Sequence, residues 1–311
     1  MTETNISISQ ETVVTHGGPF HADDVLAVAI AKHFLVNGQC RQWGPILRTR
    51  DAGLLAQARE ARALLVDVGG EYVPERGLFD HHFKNSPLRQ DGTQYASAGL
   101  VARQVATPDW LQEVCRKVDL CDTGTKVPGW ELSLTIHKCN PLSGDTKEFD
   151  ARFEFLVGVF WTAIEYADNE TNFVQWVIND PTVQKWTQEH DAALDASASR
   201  IREAFKQEGS VLFLEQYEPA LFEVASEAPQ GKLFSVYPSP SGEWMVQQIP
   251  LEKGGFAGRK QLPEQWAGKR GEELDSLTGV EGSVFVHPGR FIGGHKTLQG
   301  ALRLAELATS M

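Results

Sequence analysis

The first part of the chain predicts an α/β domain with a mostly parallel sheet and flanking helices. Two observations predict it: short apolar strand candidates alternate with helix candidates over residues 12–124, and several of these strands end in glycine or a charged residue. Such alternation produces right-handed crossovers between parallel strands. Beyond about residue 210, short strand candidates follow one another and one helix closes the chain, which predicts a smaller C-terminal α+β domain.

Each element of the first domain follows from its local pattern. Short apolar runs bounded by polar or glycine residues predict strands over 12–17, 45–51, 63–70 and 77–82. Amphipathic runs with helix start and stop signals predict helices over 23–38, 52–63, 97–106 and 108–124. We therefore place a first domain over 1–207, including a helical extension over about 130–207.

The second domain is placed over 208–311. Apolar runs predict strands over 210–217, 220–224, 232–238 and 243–251. The segment 282–308 predicts a strand, a glycine turn and a closing helix. No internal repeat or low-complexity segment interrupts either domain.

Composition and net charge argue against some classes of function. Apolar residues make up 41% and charged residues 23% of the 311 residues, as in a soluble globular protein. A net charge of −12 argues against a protein that coats nucleic acid with a broad basic surface, but allows capture of a strand end at a local site. The chain lacks an apolar run of the ~20 residues that cross a bilayer. Its polar start lacks the features of a transit or secretion signal, so we expect a cytoplasmic protein that does not bind membranes.

Cysteine and tryptophan positions favour ordinary structural roles. The cysteines have no CxxC pair and no zinc-type spacing, which favours reduced, partly buried thiols over disulfides. They are Cys40, Cys115, Cys121 and Cys139. Tryptophans in the helical extension could stack on bases, but core packing is the more common role of such residues. They are Trp161, Trp176 and Trp186.

Histidines and aspartates follow several of the predicted strands. His16, Asp51, Asp67 and the run Asp80–His82 all lie at strand ends, where ligands gather in open α/β sheets. Imidazole and carboxylate without a nearby thiolate suit Mn²⁺, Fe²⁺, Co²⁺ or Zn²⁺ better than Ca²⁺. Six such groups can hold two metals, and two metals about 3.5–4 Å apart clamp a phosphoryl group and generate a hydroxide nucleophile.

Each of these residues also has an ordinary structural explanation. Asp23 or Asp24 could cap the helix that follows, and Asp67 could merely end a strand before Gly69. Adjacent histidines also occur by chance. The combination of short motifs at element ends, all offering oxygen or imidazole ligands, favours a metal site.

The motifs together resemble a known family. THGGPFHADD, LLVDVGGEY, FDHH, SAGLV and GSVFVHPGRFIGGHKT occur in this order, and they resemble the Myg exonuclease family of the DHH phosphoesterase superfamily from about residue 14 to residue 305. The resemblance implies a DHH-type fold and a metal-dependent phosphodiesterase. It also implies two divalent ions per chain, with Mn²⁺ expected first and Mg²⁺, Co²⁺ or Zn²⁺ as alternatives.

The resemblance further implies a ligand set. One metal would be held by His16, His21 and Asp67, and the other by Asp23, Asp67, His81 and Asp122, with Asp67 bridging. The wider superfamily has a DxD sequence in its first motif, and here His21 stands where the first aspartate is expected, a departure that Myg-type proteins share.

Three neighbouring residues complete the implied site. His82 would face the substrate phosphate, and Asp80 would orient a histidine. Asp119 lies on the same helical face as Asp122 and competes with it for the ligand role.

The C-terminal stretch FIGGHKT resembles the glycine-rich substrate loop of the DHH-associated domain. Glycines there would let backbone N–H groups approach an anion, near the positive N-terminus of the closing helix. An ordinary tight turn, with Thr297 as helix cap, is the alternative. The substrate-binding candidates are Gly293, Gly294, His295, Lys296, Arg290 and His287.

Three functions remain open from the sequence. The leading one is a 3′–5′ exonuclease acting on RNA or short oligonucleotides. The second is a hydrolase of a small phosphate, such as pyrophosphate, a cyclic dinucleotide or a nucleoside bisphosphate, because fold does not fix substrate. The third is a non-catalytic metal- or nucleotide-binding module, and the sequence leaves open whether the chain forms a homo-oligomer.

Overall fold

The structure, a computed structural model, describes residues 7–34, 44–142, 146–239, 241–252 and 257–311. The chain divides into two compact units, residues 1–190 and 191–311. Each unit contains its own five-stranded sheet. The predicted α/β fold class, with a smaller α+β part at the C-terminus, is confirmed.

The first sheet has the order β2-β1-β3-β5-β4, and all neighbouring strands are parallel except β4 and β5. Its strands are β1 (Val13–Thr15), β2 (Ile46–Arg48), β3 (Leu64–Val66), β4 (Tyr72–Val73) and β5 (Leu78–Phe79). Every residue of β1 and β3 is buried, as expected for central strands of a parallel sheet covered on both faces. The short edge strand β4 is not predicted by the sequence.

The helices of this unit are α1 (Ala22–His33), α2 (Ala52–Glu60), α3 (Ser97–Ala102), α4 (Asp109–Asp122), α5 (Leu132–Lys138), α6 (Thr146–Tyr166) and α7 (Glu170–Ile178). Helix α8 (Pro181–Ala204) begins in this unit and ends in the second. Helix α1 is buried along nearly its whole length, because α3, α4 and α6 all pack against it. A helix that is apolar on all sides is suited to such a central position. The predicted continuation of this helix to residue 38 falls outside the described residues.

The second sheet has the order β6-β7-β8-β10-β9, and only β6 and β7 are parallel. Its elements are β6 (Val211–Phe213), α9 (Leu221–Val224), β7 (Phe234–Pro238), β8 (Trp244–Gln248), α10 (Gly271–Thr278), β9 (Ser283–Val286), β10 (Ile292–His295) and α11 (Leu298–Ser310). Thr297 caps α11 by accepting a hydrogen bond from the Gly300 N–H at 3.2 Å.

Two local expectations are wrong. The strand predicted over 220–224 is the short helix α9, which buries Leu221 and Val224 on one face. So short an apolar run is compatible with the residue spacing of a helix as well as with that of a strand. Trp176 is 47% exposed and stacks on Tyr166, because its position on α7 faces away from the core that the helix covers with Phe173 and Val177.

The predicted glycine turn at 293–294 is also wrong, since both glycines lie within β10. Gly293 pairs with β8 and β9, and a Cβ there would come 3.0 Å from the Phe285 carbonyl oxygen. A Cβ on Gly294 would come equally close to the Phe285 ring. Glycine is required here because β9 approaches too closely for a side chain, not because a loop must turn.

His295 fills a tight space beside α11. The ring is buried, its Nδ1 accepts a hydrogen bond from the Thr297 N–H at 3.0 Å, and its Nε2 lies 3.0 Å from the Glu281 carbonyl oxygen. A Cβ on Gly300 would come 1.9 Å from this ring. Gly300 is therefore a packing glycine.

Gly300→Ala is expected to destabilise the protein by at least about 1–3 kcal/mol, because the added methyl overpacks a filled core. Gly158→Ala on α6, whose Cβ would meet nothing within 4 Å, should instead stabilise by up to ~1 kcal/mol. Urea unfolding of both variants measures the difference. Equal stability of the two variants would contradict the packing described for His295.

Other sequence expectations concern membranes and thiols. Within the described ranges, no helix combines the length and apolar character needed to span a bilayer. Cys115, Cys121 and Cys139 are free thiols, whereas Cys40 lies outside the described residues. Trp161 and Trp186 are half-buried.

Candidate metal centre

Asp67 stands at the centre of a cluster of histidines and carboxylates. It directly follows β3, is 2% exposed and has φ +56°, a left-handed conformation that is uncommon for a residue other than glycine. One carboxylate oxygen, Oδ1, lies 3.2 Å from His81 Nε2 and 3.3 Å from His82 Nδ1. The other, Oδ2, lies 3.4 Å from His16 Nε2. Strained backbone at such a position is typical of functional sites.

The sheet explains why distant residues meet here. His16 follows β1, Asp67 follows β3, and Asp80–His82 follow β5, so parallel strands deliver them to the same edge. Helix α1 contributes Asp23 and Asp24 from its first turn, and α4 contributes Asp122, its last residue.

Among the residues that the structure describes, three groups of side chains have potential ligand atoms close enough to hold a metal ion. In each group the atoms lie within 4.8 Å of one another. The groups are His16, Asp24 and Asp67; Asp67, His81 and His82; and Asp23, His81 and Asp122. Asp67 and His81 each belong to two groups.

Two buried oxygen or nitrogen atoms of this cluster have no hydrogen-bond partner, as expected of atoms that bind a cation. They are Asp24 Oδ2 and His81 Nε2. Asp24 Oδ2 comes within 3.1 Å of His16 Nε2, and His81 Nε2 within 3.2 Å of carboxylate oxygens of Asp67 and Asp122. An unsatisfied buried polar atom costs about 1–3 kcal/mol, and a cation bound by these atoms would satisfy both. The donor set, imidazole with carboxylate, is that of a divalent-metal site.

Burial and neighbouring charges shift the pKa values of several side chains in this cluster. Burial lowers the pKa of His16, but the Asp24 and Asp67 carboxylates outweigh it and raise that pKa to about 10. Burial also opposes ionisation of Asp67, yet its bonds to His16, His81 and His82 hold its pKa well below the usual range. For Asp23, burial and the charges of Asp67 and Asp122 raise the pKa well above normal.

Helix α3 orients two of the carboxylates. The backbone N–H groups of Ser97 and Ala98 donate to Asp23 at 2.9 and 2.7 Å. The Ser97 hydroxyl donates to Asp67 Oδ1 at 3.0 Å. Ser97 begins the SAGLV motif, but no local pattern assigns it a role at the site, because its contact with Asp67 joins residues 30 apart.

Asp80 fixes the exposed histidine of the FDHH motif. Its Oδ1 accepts from the His82 backbone N–H at 3.0 Å and lies 2.9 Å from His82 Nδ1. Its Oδ2 accepts from the Gly70 N–H at 2.5 Å. Bonds to Asp67 and Asp80 raise the pKa of His82 to about 9, so this ring, 59% exposed, is protonated at neutral pH in the metal-free protein.

Asp80→Asn is expected to loosen the orientation of the His82 ring, because the residue that holds it loses its charge. In the metal-free variant the pKa of His82 should also fall, which an NMR titration of the ring measures. Asp109→Asn, at an exposed aspartate in the first turn of α4, is the matched control. An unchanged His82 titration in Asp80→Asn would contradict this role.

Two other predicted ligands, His21 and Asp119, and the strand-end residue Asp51 lie less centrally. His21 caps α1, its side chain is 53% exposed, and its Nδ1 lies 3.7 Å from Asp122 Oδ1. Buried Asp119 pairs with Arg89 at 2.5 Å. Asp51 caps α2 by accepting from Leu54 N–H. None of these three belongs to the metal-holding groups found in the described residues, and the assignments of His21 and Asp119 as ligands stay predictions.

Asp24 is a potential ligand in the sequence, but the ligand set implied by the family resemblance does not include it. Its Oδ1 accepts from the His21 N–H at 2.8 Å, a helix-capping contact, while its Oδ2 faces His16. The sequence offers a capping role for Asp23 or Asp24, and the structure shows that one carboxylate can serve both purposes.

The substrate-binding candidates of the second unit have mixed surroundings. His287 and Lys296 are exposed, while Arg290 donates to Gln261 and has φ +60°. His295 is engaged by backbone groups, as described above. Their role in substrate binding stays a prediction, although the loop conformation expected for Gly293 and Gly294 does not occur.

Comparisons with known proteins agree with this architecture. A solved structure, the pGpG-specific phosphodiesterase PggH from Vibrio cholerae, aligns with a TM-score of 0.53 at 12% identity, covering 96% of this chain and 97% of that one. This likeness shows a shared fold. MYG1 exonuclease from Bos taurus is 29% identical over 337 residues, covering 94% of this chain and 82% of the relative.

A second relative is closer in length. The MYG1 protein of Schizosaccharomyces pombe is 30% identical over 323 residues, covering 95% of this chain and 96% of the relative. The MYG1 exonuclease family profile, described as "Uncharacterised protein family (UPF0160)", matches residues 12–106 and 110–309. The resemblance indicated by the motifs is confirmed, and the chain belongs to the MYG1 exonuclease family.

Proposed function

We propose that this protein is a metal-dependent phosphodiesterase that removes nucleotides from the 3′ end of RNA or of short oligonucleotides. The observation that carries the proposal is the Asp67 carboxylate, whose two oxygens face different histidines of a buried donor cluster. Membership in a family whose relatives bear the name exonuclease supports the reaction class. The 3′–5′ direction and the preference for RNA come from the sequence resemblance.

Two divalent cations fit the donor groups. His16, Asp24 and Asp67 would hold one, and Asp23, His81 and Asp122 the other, with Asp67 between them. Mn²⁺ is expected first, since imidazole–carboxylate sets suit it. When bound, such a pair supplies an activated water and neutralises charge on the phosphoryl oxygens.

The residues of the chain itself would position the substrate. The His82 ring is 59% exposed beside the buried cluster, so it would face a phosphoryl oxygen of the substrate. Asp80 keeps the ring in place. In the second unit, exposed Lys296 carries a positive charge that suits a nucleotide phosphate. The net charge of −12 suits binding of a strand end rather than tracking along a duplex.

An assay with end-labelled RNA tests this function. With 5′-labelled RNA and Mn²⁺, we expect a ladder of progressively shorter products; with 3′-labelled RNA, release of labelled mononucleotide from the start. DNA of the same sequence and a panel of small phosphates (pyrophosphate, cyclic dinucleotides and nucleoside bisphosphates) run in parallel. Hydrolysis confined to the small phosphates would contradict the exonuclease proposal but keep the phosphodiesterase class. No hydrolysis of any of these with any divalent metal would contradict both.

A further inference from the structure

A side chain from a distant part of the sequence holds the loop between His16 and His21. Asn140 follows α5, is 9% exposed, and lies 120 residues from Phe20 in the chain. The Phe20 N–H donates to Asn140 Oδ1 at 2.9 Å, and Asn140 Nδ2 donates to the Phe20 carbonyl oxygen at 2.8 Å. The amide therefore satisfies both backbone groups of one residue, as a neighbouring strand would.

The same loop is held a second time. Arg48 is buried at the end of β2, and its Nη2 donates to the Gly18 carbonyl oxygen at 2.7 Å. Its Nη1 donates to Asp150 at 3.0 Å, and its guanidinium carbon lies 4.6 Å from the centre of the Phe153 ring. Two independent anchors on so short a segment indicate that its conformation matters.

The loop needs such anchors because its own sequence does little to fix it. Gly17 and Gly18 have no side chains, and Gly18 has φ +88°, a region in which glycine is most free. Immediately after Phe20, the His21 N–H donates to Asp24 Oδ1. The backbone of Phe20 therefore leads directly into α1, whose first turn carries Asp23 and Asp24, and it lies four residues after His16.

We propose that Asn140 is a positioning residue for the metal centre: by fixing the Phe20 backbone, it holds His16 and the first turn of α1 in ligand geometry. This inference rests on the metal centre assigned under the proposed function. A residue that orients ligands in this way affects metal affinity directly, typically about 10–100-fold when it is lost.

Calorimetric titration of the purified full-length protein with Mn²⁺, together with thermal unfolding of the metal-free protein, tests the proposal. For Asn140→Ala we expect Mn²⁺ binding about 10–100-fold weaker, cooperative unfolding of the metal-free protein, and recovery of activity when Mn²⁺ is raised. The control is Asn179→Ala, since its exposed amide also exchanges hydrogen bonds with two side chains, Gln175 and Gln184. This control should bind Mn²⁺ as the wild type does.

A second variant covers the case in which Asn140→Ala does not fold. Arg48→Lys keeps a positive charge near Asp150, but a single ammonium group cannot replace the two guanidinium nitrogens that bind Gly18 and Asp150. This variant should therefore also bind Mn²⁺ more weakly than the wild type. Wild-type Mn²⁺ affinity in the folded Asn140 variant would overturn the inference alone. Loss of folding in both variants would overturn it too, because the bonds would then serve the fold. A wild-type protein that binds no Mn²⁺ would overturn the proposed metal centre as well.

Discussion

Asp67→Asn is expected to abolish metal-dependent hydrolysis. We expect the hydrolysis rate to fall at least about 10³-fold, since the bound cations would stabilise the transition state by several kcal/mol. Asparagine is the suitable replacement because it tolerates the left-handed backbone seen at Asp67. It nearly matches the carboxylate in size and can still accept from the Ser97 hydroxyl. The change therefore removes charge while keeping shape and backbone.

The same variant should also lose the stabilisation that Mn²⁺ gives. Wild-type protein is expected to unfold at a higher temperature with Mn²⁺ than without it, because a ligand that binds only the native state stabilises it. Asp67→Asn should show little of this shift, and the Asp109→Asn control should show all of it. A folded Asp67→Asn protein with wild-type activity and metal-induced stabilisation would contradict the central role of this carboxylate.

Metal binding is expected to release protons and to strengthen as the pH rises. In the metal-free protein, carboxylates raise the pKa of His16 to about 10 and that of His82 to about 9, and they raise that of His81 also. A histidine must be neutral to bind a metal, so each ligand histidine gives up its proton. Each site contains one histidine with a raised pKa, so the affinity of each site should increase about 10-fold per pH unit between pH 7 and 8, and the product of the two binding constants about 100-fold.

Calorimetry in two buffers with different ionisation enthalpies counts these protons. We expect at least about two protons released as both sites fill at pH 7. Binding without proton release, or affinity independent of pH over 7–8, would contradict the assignment of protonated histidines that become metal ligands.

The raised histidine pKa values also fix how the metal-free protein responds to pH. A histidine whose pKa is higher in the folded protein than its ordinary 6.5 stabilises the fold fully below pH 6.5. That stabilisation is lost as the pH rises towards about 10 for His16. The low pKa of Asp67 arises from the same ion pairs, so it adds no further stabilisation of the fold. Metal-free protein should therefore lose thermal stability from pH 7 to pH 10.

The fold and the general position of the site could be predicted because each depends on local pattern. Short apolar strands alternating with helices specify a parallel sheet, and strand ends then specify where ligands gather. On this basis His16, Asp67 and His81 could be assigned to one place although they lie far apart in the sequence. The structure brings them together at Asp67.

The remaining features depend on tertiary contacts that no local pattern reveals. The sequence predicts a helix-capping role for Asp24. Only the three-dimensional structure shows that its second carboxylate oxygen faces His16, which follows β1. The contacts of Ser97 and Asn140 join residues 30 and 120 positions apart. For Gly293 and Gly294, the glycine pair is typical of a turn, whereas the close approach of β9 is the actual reason for glycine.

Anomalous diffraction from crystals grown with Mn²⁺ tests the central claim most directly. We predict two anomalous peaks beside the Asp67 carboxylate, one near His16 and Asp24 and the other near His81 and Asp122, at ligand distances of about 2.0–2.3 Å. Peaks elsewhere in the molecule, or no peak at Asp67 in crystals saturated with Mn²⁺, would contradict a metal centre at this position.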